Sequence, residues 1–258
     1  MVILVLFIET IFITIYTIGA LFGYFNHSIS PWTLVIFWSG SIIVLISTIF
    51  LRKYNKEKFS EEMSKYEESP SLANNEYFYQ APLYLFDDMH VKVHGYQKMS
   101  WVPYFNNTLQ KWLSIFNFMS AAGLKLTSEK SKIILKREKL WAFKPQYTVF
   151  INDKKIGELS MLKLLKSGMK QQTPFVFKDD KNEYKFENPY FSTQTKITDI
   201  EGNSILTANR SFFDLGKNLI TQRRGEKHFV TISSTENYPE QLWLALYIMV
   251  MNNKQSNK

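Results

Sequence analysis

Pro239-Glu240-Gln241-Leu242-Trp243-Leu244-Ala245-Leu246-Tyr247-Ile248-Met249-Val250-Met251 is the stretch that decides the fold. Proline suits a first helical position, where its missing N–H would have no partner anyway, and the acid beside it complements the helix dipole. Residues 242–252 carry no charge. A helix that is apolar on every side needs apolar surroundings on every side. Ten residues rise only about 15 Å, half of the roughly 30 Å of hydrocarbon a membrane span must cross. Within a single β domain, the place that surrounds a helix completely is the inside of a barrel.

The sequence before this helix reads as the wall of such a barrel. Ile133-Ile134-Leu135, Tyr147-Thr148-Val149-Phe150-Ile151, Phe175-Val176-Phe177, Lys196-Ile197-Thr198-Asp199-Ile200 and Phe229-Val230-Thr231-Ile232 are short β-branched or aromatic runs. Polar turns punctuate them at 152–155, 179–182, 201–203 and 224–226. Strand, polar turn, strand at this spacing marks successive hairpins. Closing the meander into a barrel removes its open edges; a sandwich is the competing all-β solution. Two further stretches have helical spacing, residues 103–119 and 161–170. Each reads as a core-facing helix or, by its basic and apolar faces, as one that meets a membrane interface.

Hairpins of this form, carried by residues 147–159, 196–208 and 219–232 and ending in the apolar helix 239–251, resemble the tubby C-terminal-like superfamily, which includes the phospholipid scramblase and LURP-one-related proteins. The resemblance covers roughly residues 75–251 and is one of pattern, without a specific motif. It implies a closed β-barrel threaded by an apolar helix, and phosphoinositide binding through basic residues. The chain departs from scramblase-like members in having no cysteine-rich lipidation site, since it has no cysteine at all.

At the other end of the chain, residues 1–51 contain no Lys or Arg and one acid, Glu9. Two apolar runs, 2–25 and 32–51, flank a short polar break, and each reaches the roughly 20 residues a spanning helix needs. Basic residues crowd the exit of the second run, Arg52-Lys53-Tyr54-Asn55-Lys56-Glu57-Lys58, while the break carries none. Short flanks rich in Lys and Arg stay cytoplasmic, so the expected topology is a multi-pass hairpin in the cell membrane with both termini cytoplasmic. A cleaved signal peptide is the alternative for the first run, which lacks the basic start and small-residue cleavage site of such peptides. Gly19 and Gly23 face the prospect of Ser39-Gly40-Ser41 in the second run, a small-residue pattern that permits close packing in lipid and possible self-association. An acid within a span is by default a candidate functional residue, because burying its charge is expensive; Glu9, however, lies only about 10 Å along a helix from the start of the first run, near enough to the interface to stay hydrated or protonated. The expected organisation is therefore a transmembrane hairpin at 1–51, a charged stalk and linker at 52–74, a barrel domain at 75–253 and a disordered tail at 254–258.

Catalytic and cofactor motifs are missing from the sequence. It has no Gly-rich phosphate loop, no GxSxG and no HExxH. His90 and His94 alternate with Val91 and Val93 as on a strand, where they stand about 13 Å apart, too far to share a metal ligated at about 2 Å. Asp87-Asp88 and Asp179-Asp180 read as turn formers, and His228 has no partner close in sequence. Neither a catalytic residue, a cofactor nor a metal site is expected.

Charge is the remaining signal. Residues 122–170 hold twelve Lys or Arg against four acids. Beside an anionic leaflet, a well-placed basic residue contributes about 1 kcal/mol of attraction. The candidate lipid contacts are Lys136, Arg137, Lys139, Lys163, Lys166 and Lys170. Dispersed lysines without an aromatic stacking pattern do not favour nucleic acid. The reading is a membrane-tethered, non-enzymatic module that docks an as yet unidentified protein partner or an anionic phospholipid headgroup. The alternative is an enzyme or lipid-moving protein with a site at the barrel mouth.

Overall fold

The computed structural model describes the chain apart from residues 1, 25–29, 66–71, 83–88, 116–121, 141, 143, 163–173, 190–191, 212–225, 234–235 and 257–258. Two helices come first, α1 (Val2–Leu21) and α2 (Pro31–Lys65). Twelve strands follow: β1 (Glu76–Gln80), β2 (Val91–Gly95), β3 (Met99–Tyr104), β4 (Gly123–Ser128), β5 (Lys132–Arg137), β6 (Gln146–Ile151), β7 (Lys154–Met161), β8 (Phe175–Lys178), β9 (Glu183–Glu187), β10 (Gln194–Thr198), β11 (Ser204–Arg210) and β12 (Lys227–Ile232). The short α3 (Thr108–Ile115) lies between β3 and β4, and α4 (Glu240–Ser256) ends the chain.

The strands form one closed antiparallel barrel in which each pairs with its sequence neighbours, and β1 closes the circle on β12 with Glu76 opposite Thr231 and Gln80 opposite Lys227. Twelve strands enclose more space than side chains alone fill, since about eight suffice for that. A helix about 10–12 Å across with its side chains fits the remainder. Every residue from Gln241 to Asn253 is buried, and the main apolar cluster joins residues 242–251 to inward side chains such as Trp101, Leu124, Tyr147, Phe177 and Val230. The apolar helix and the barrel thus explain one another, and the sandwich is excluded.

Strand alternation sets what faces inward. Along β12, His228, Val230 and Ile232 are buried while Phe229 is exposed between them. The turns obey local chemistry. Asn152 and Asp153 take positive φ, 47° and 66°, the pair of left-handed residues that a tight two-residue hairpin requires. Asn152 Oδ1 also accepts the Lys132 N–H, tying the turn to β5.

Residues 103–119 divide differently from the helical expectation. Pro103 and Tyr104 belong to β3, opposite Leu124 and Gly123, because barrel pairing outweighs the local apolar spacing. The helix begins only at Thr108, where Asn107 Oδ1 accepts the Gln110 N–H as an N-cap. Met161 likewise belongs to β7, opposite Phe175, and residues 163–170 lie outside the described residues.

Of the N-terminal helices, the segment Trp32–Glu61 is long and apolar enough to cross a membrane by length and composition, and Glu9–Leu21 is a shorter apolar stretch. The two helices touch: the Trp38 indole N–H donates to Thr17 Oγ1 at 3.2 Å. Gly19 is buried, whereas a side chain at Gly40 would meet open space. The charged residues after Leu51 continue α2 without a break to Lys65, with Lys53 and Glu57 4.0 Å apart.

Candidate functional site

The barrel has two unlike ends. Turns of two to five residues join β2–β3, β4–β5, β6–β7, β8–β9 and β10–β11 at one end, where β1 begins and α4 enters. Connections of six to eighteen residues leave the other end, where α4 finishes. We call these the turn end and the loop end.

At the turn end, side chains lock the start of α4. The Tyr77 hydroxyl bonds Glu240 and the Gln241 amide bonds Gln97. The Tyr238 hydroxyl donates to Asp179 Oδ2 at 2.8 Å. Asp179 is the turn former its sequence suggests, its Oδ1 accepting the N–H groups of Lys181 and Asn182 at 2.7 and 2.6 Å. Burial pushes the Asp179 carboxyl up, but these two N–H groups, the Tyr238 hydroxyl and the Asn182 amide together hold it below its ordinary value. A shallow open cleft of about 590 Å³ lies beside this lock, bordered by Lys130, Asn152 and Glu236.

At the loop end lies a buried polar group that sequence reading missed. Arg210 Nη1 donates to Glu226 Oε1 at 3.1 Å, with both side chains 5% exposed, and Arg210 Nη2 donates to the Ser192 carbonyl at 3.1 Å. His228, fully buried, places Nε2 3.8 Å from Glu226 Oε2 and Nδ1 2.8 Å from the Tyr247 hydroxyl on α4. The Tyr79 ring stacks on His228 with centroids 4.5 Å apart. Burial, first of all, drives the Tyr79 and Tyr247 hydroxyls well above their ordinary range, so both stay protonated. The partners come from β1, β11, β12 and α4, which is why spacing along the chain could not reveal them. The one signal within reach was the alternation of β12, which turns His228 inward together with Val230.

The predicted lipid contacts fall at the loop end or outside the described residues. Lys136, near the end of β5, holds its ammonium 4.7 Å from the Phe150 ring centroid. Arg137 is buried: Nε donates to the Lys139 carbonyl at 3.2 Å and Nη2 to the Ala142 carbonyl at 3.2 Å, so its guanidinium organises the 138–145 connection. Lys139 is exposed. Lys163, Lys166 and Lys170 lie outside the described residues.

His90 is exposed before β2, and His94, at the far end of that strand, is half-buried with its ring 6.0 Å from Phe78. Burial, and then the charge of Lys92, lower the His94 pKa. Glu183 pairs with Lys178 at 2.7 Å, and Asp87 and Asp88 lie outside the described residues. Among the described residues no group of His, Cys, Asp and Glu has the arrangement of a metal site. No family model matches the chain, and no curated protein or solved structure matches it.

Proposed function

We propose that the protein is a membrane-tethered binding module of the tubby-like barrel kind. In this reading α1 and α2 form a two-span hairpin with both termini cytoplasmic, and residues 75–253 form the docking domain at the inner leaflet. The observation that carries the proposal is the filled lumen. With α4 buried from Gln241 to Asn253, the described side chains of α4 and the barrel wall fill the lumen between them, which favours recognition at the outer surface and the two ends. The basic excess of residues 122–170 favours an anionic phospholipid headgroup or an acidic protein surface as the docked group.

Hydrogen exchange on the full chain in nanodiscs tests this. Anionic discs are expected to protect the barrel's basic surface more than neutral ones, and high salt is expected to remove the difference. Identical exchange in both discs, together with no partner crosslinked in intact membranes, refutes the module reading.

A second reading, an enzyme or lipid-moving protein with its site at the barrel mouth, draws on the buried Arg210–Glu226–His228 group at the loop end. Movement of labelled lipid between leaflets of proteoliposomes holding the full chain, abolished by Glu226→Gln without loss of fold, would favour it.

A further inference from the structure

His228 sits where three connections of the loop end are tied together. Arg210 and Glu226 are the feet of the connection between β11 and β12, and their side chains pair at 3.1 Å. The Arg210 backbone N–H donates to the Thr193 carbonyl and Arg210 Nη2 to the Ser192 carbonyl, both at 3.1 Å. The Glu226 carbonyl accepts the Ala81 N–H at 2.8 Å, just past the end of β1. One buried ion pair therefore gathers the β1–β2, β9–β10 and β11–β12 connections. Register sets Arg210 and Tyr79 on either side of His228 in the wall, and the Tyr247 hydroxyl joins its ring to α4.

Among the described residues, the titratable or charged groups that face His228 are Tyr79 from β1, Arg210 from β11, Glu226 from the chain before β12 and Tyr247 from α4. Arg210 and Glu226 cancel in charge, and both tyrosines keep their protons. A neutral imidazole suits this company. With the ring proton on Nε2, toward the Glu226 carboxylate, Nδ1 is bare and accepts the Tyr247 hydroxyl; the opposite tautomer turns a lone pair toward that carboxylate. A second proton reverses the Nδ1 contact. The ring N–H then donates to Tyr247 Oη, and the Tyr247 proton loses the one acceptor it has among the described residues, at a fully buried position. Glu226 Oε2, at 3.8 Å from Nε2, is too far to compensate with a hydrogen bond. The proton also leaves one positive charge unbalanced inside the barrel, where burying charge is costly.

We propose that this group is an acid-sensitive latch: protonation of His228 releases Tyr247 and opens the Arg210–Glu226 tie, freeing the feet of the three loop-end connections while the turn end stays closed. A ring that fits only when neutral stabilises the closed state fully above the ordinary histidine value, about pH 6.5, and progressively less as pH falls below it. The latch regulates access to the loop end whatever the module docks.

Hydrogen exchange on the full chain in neutral nanodiscs tests the latch at about pH 7.5 and about pH 5.5, either side of the ordinary histidine value, with rates corrected for intrinsic pH dependence. In wild type, residues 78–81, 192–195 and 207–211 are expected to exchange about tenfold faster in acid, the size of effect that follows when a buried polar group loses its partner. The turn-end hairpin at 152–155 is expected to show no change. His228→Gln, which cannot take the proton, is expected to remove the difference. Tyr247→Phe, which lacks the hydroxyl that protonation strands, is expected to shrink it. Equal corrected rates at the two pH values in wild type overturn the latch. An undiminished response in His228→Gln or, where that variant does not fold, in Tyr247→Phe assigns the response to another group and overturns the role of His228. Acceleration at 152–155 as large as at the loop end means acid unfolding of the whole barrel and overturns the latch as well.

Discussion

Trp243 shows how much of this molecule rests on single buried side chains. It is 1% exposed, and its ring meets Tyr184 edge-on with centroids 4.8 Å apart. Trp243→Ala is expected to cost about 3–5 kcal/mol, as buried aromatics do, read as a lower denaturation midpoint of the full chain in detergent. The Arg210–Glu226 pair makes a different prediction. Removing one partner strands a buried charge, so Arg210→Met alone is expected to cost about 3–5 kcal/mol, while Arg210→Met with Glu226→Leu recovers much of the loss. A double variant as unstable as the single one would assign the cost to the lost Ser192 contact instead. Asp179 adds a pH dependence. Its folded pKa lies below its unfolded one, so its contribution is complete above the unfolded value, about 3.9, and disappears as pH falls through the folded value. The melting-temperature gap between wild type and Asp179→Asn is therefore expected to be widest above about pH 5 and to close in stronger acid. Asp179 could be read from its turn, because its chemistry is local. The Arg210–Glu226–His228 group could not, because it is assembled by strand register and by a helix arriving from elsewhere in the sequence.

Among the elements, α4 was the most legible. Absence of charge over residues 242–252 means burial on all sides whatever the neighbours are, so the helix by itself points to a barrel. Tight hairpins such as 152–153 were legible for the same reason, since left-handed turn residues leave a signature. Residues 103–119 were not, because an apolar spacing that fits a helix also occurs where a strand passes into one, and only the β3–β4 register divides them. Truncation tests the standing of α4. Removal of everything after Pro239 is expected to abolish the cooperative unfolding transition. Removal of residues 254–258 is expected to leave it unchanged, because the innermost contacts, including that of the Tyr147 hydroxyl with Asn253 at 2.9 Å, survive. A truncated chain that keeps its near-ultraviolet circular dichroism would mean that the barrel closes without its filling.

For the whole molecule, the proposed hairpin predicts that a reporter fused after Lys258 behaves as cytoplasmic and that protease added to intact cells leaves the barrel uncut. The order in which the parts meet has a consequence for synthesis. Eleven of the pairings around the wall join strands adjacent in sequence, and one, β1 with β12, joins residues as distant as Glu76 and Thr231. The hairpins can therefore form one after another as the ribosome releases them, but the seam cannot be sealed until β12 exists. The filling, α4, is translated after every strand. For that interval the growing sheet has an uncovered apolar face and two free edges, the state in which nascent β proteins associate wrongly. Delaying release of the last residues, with a pause placed before codon 239, is expected to raise the yield of aggregated chains, whereas a pause of equal length after codon 256 is expected to be harmless.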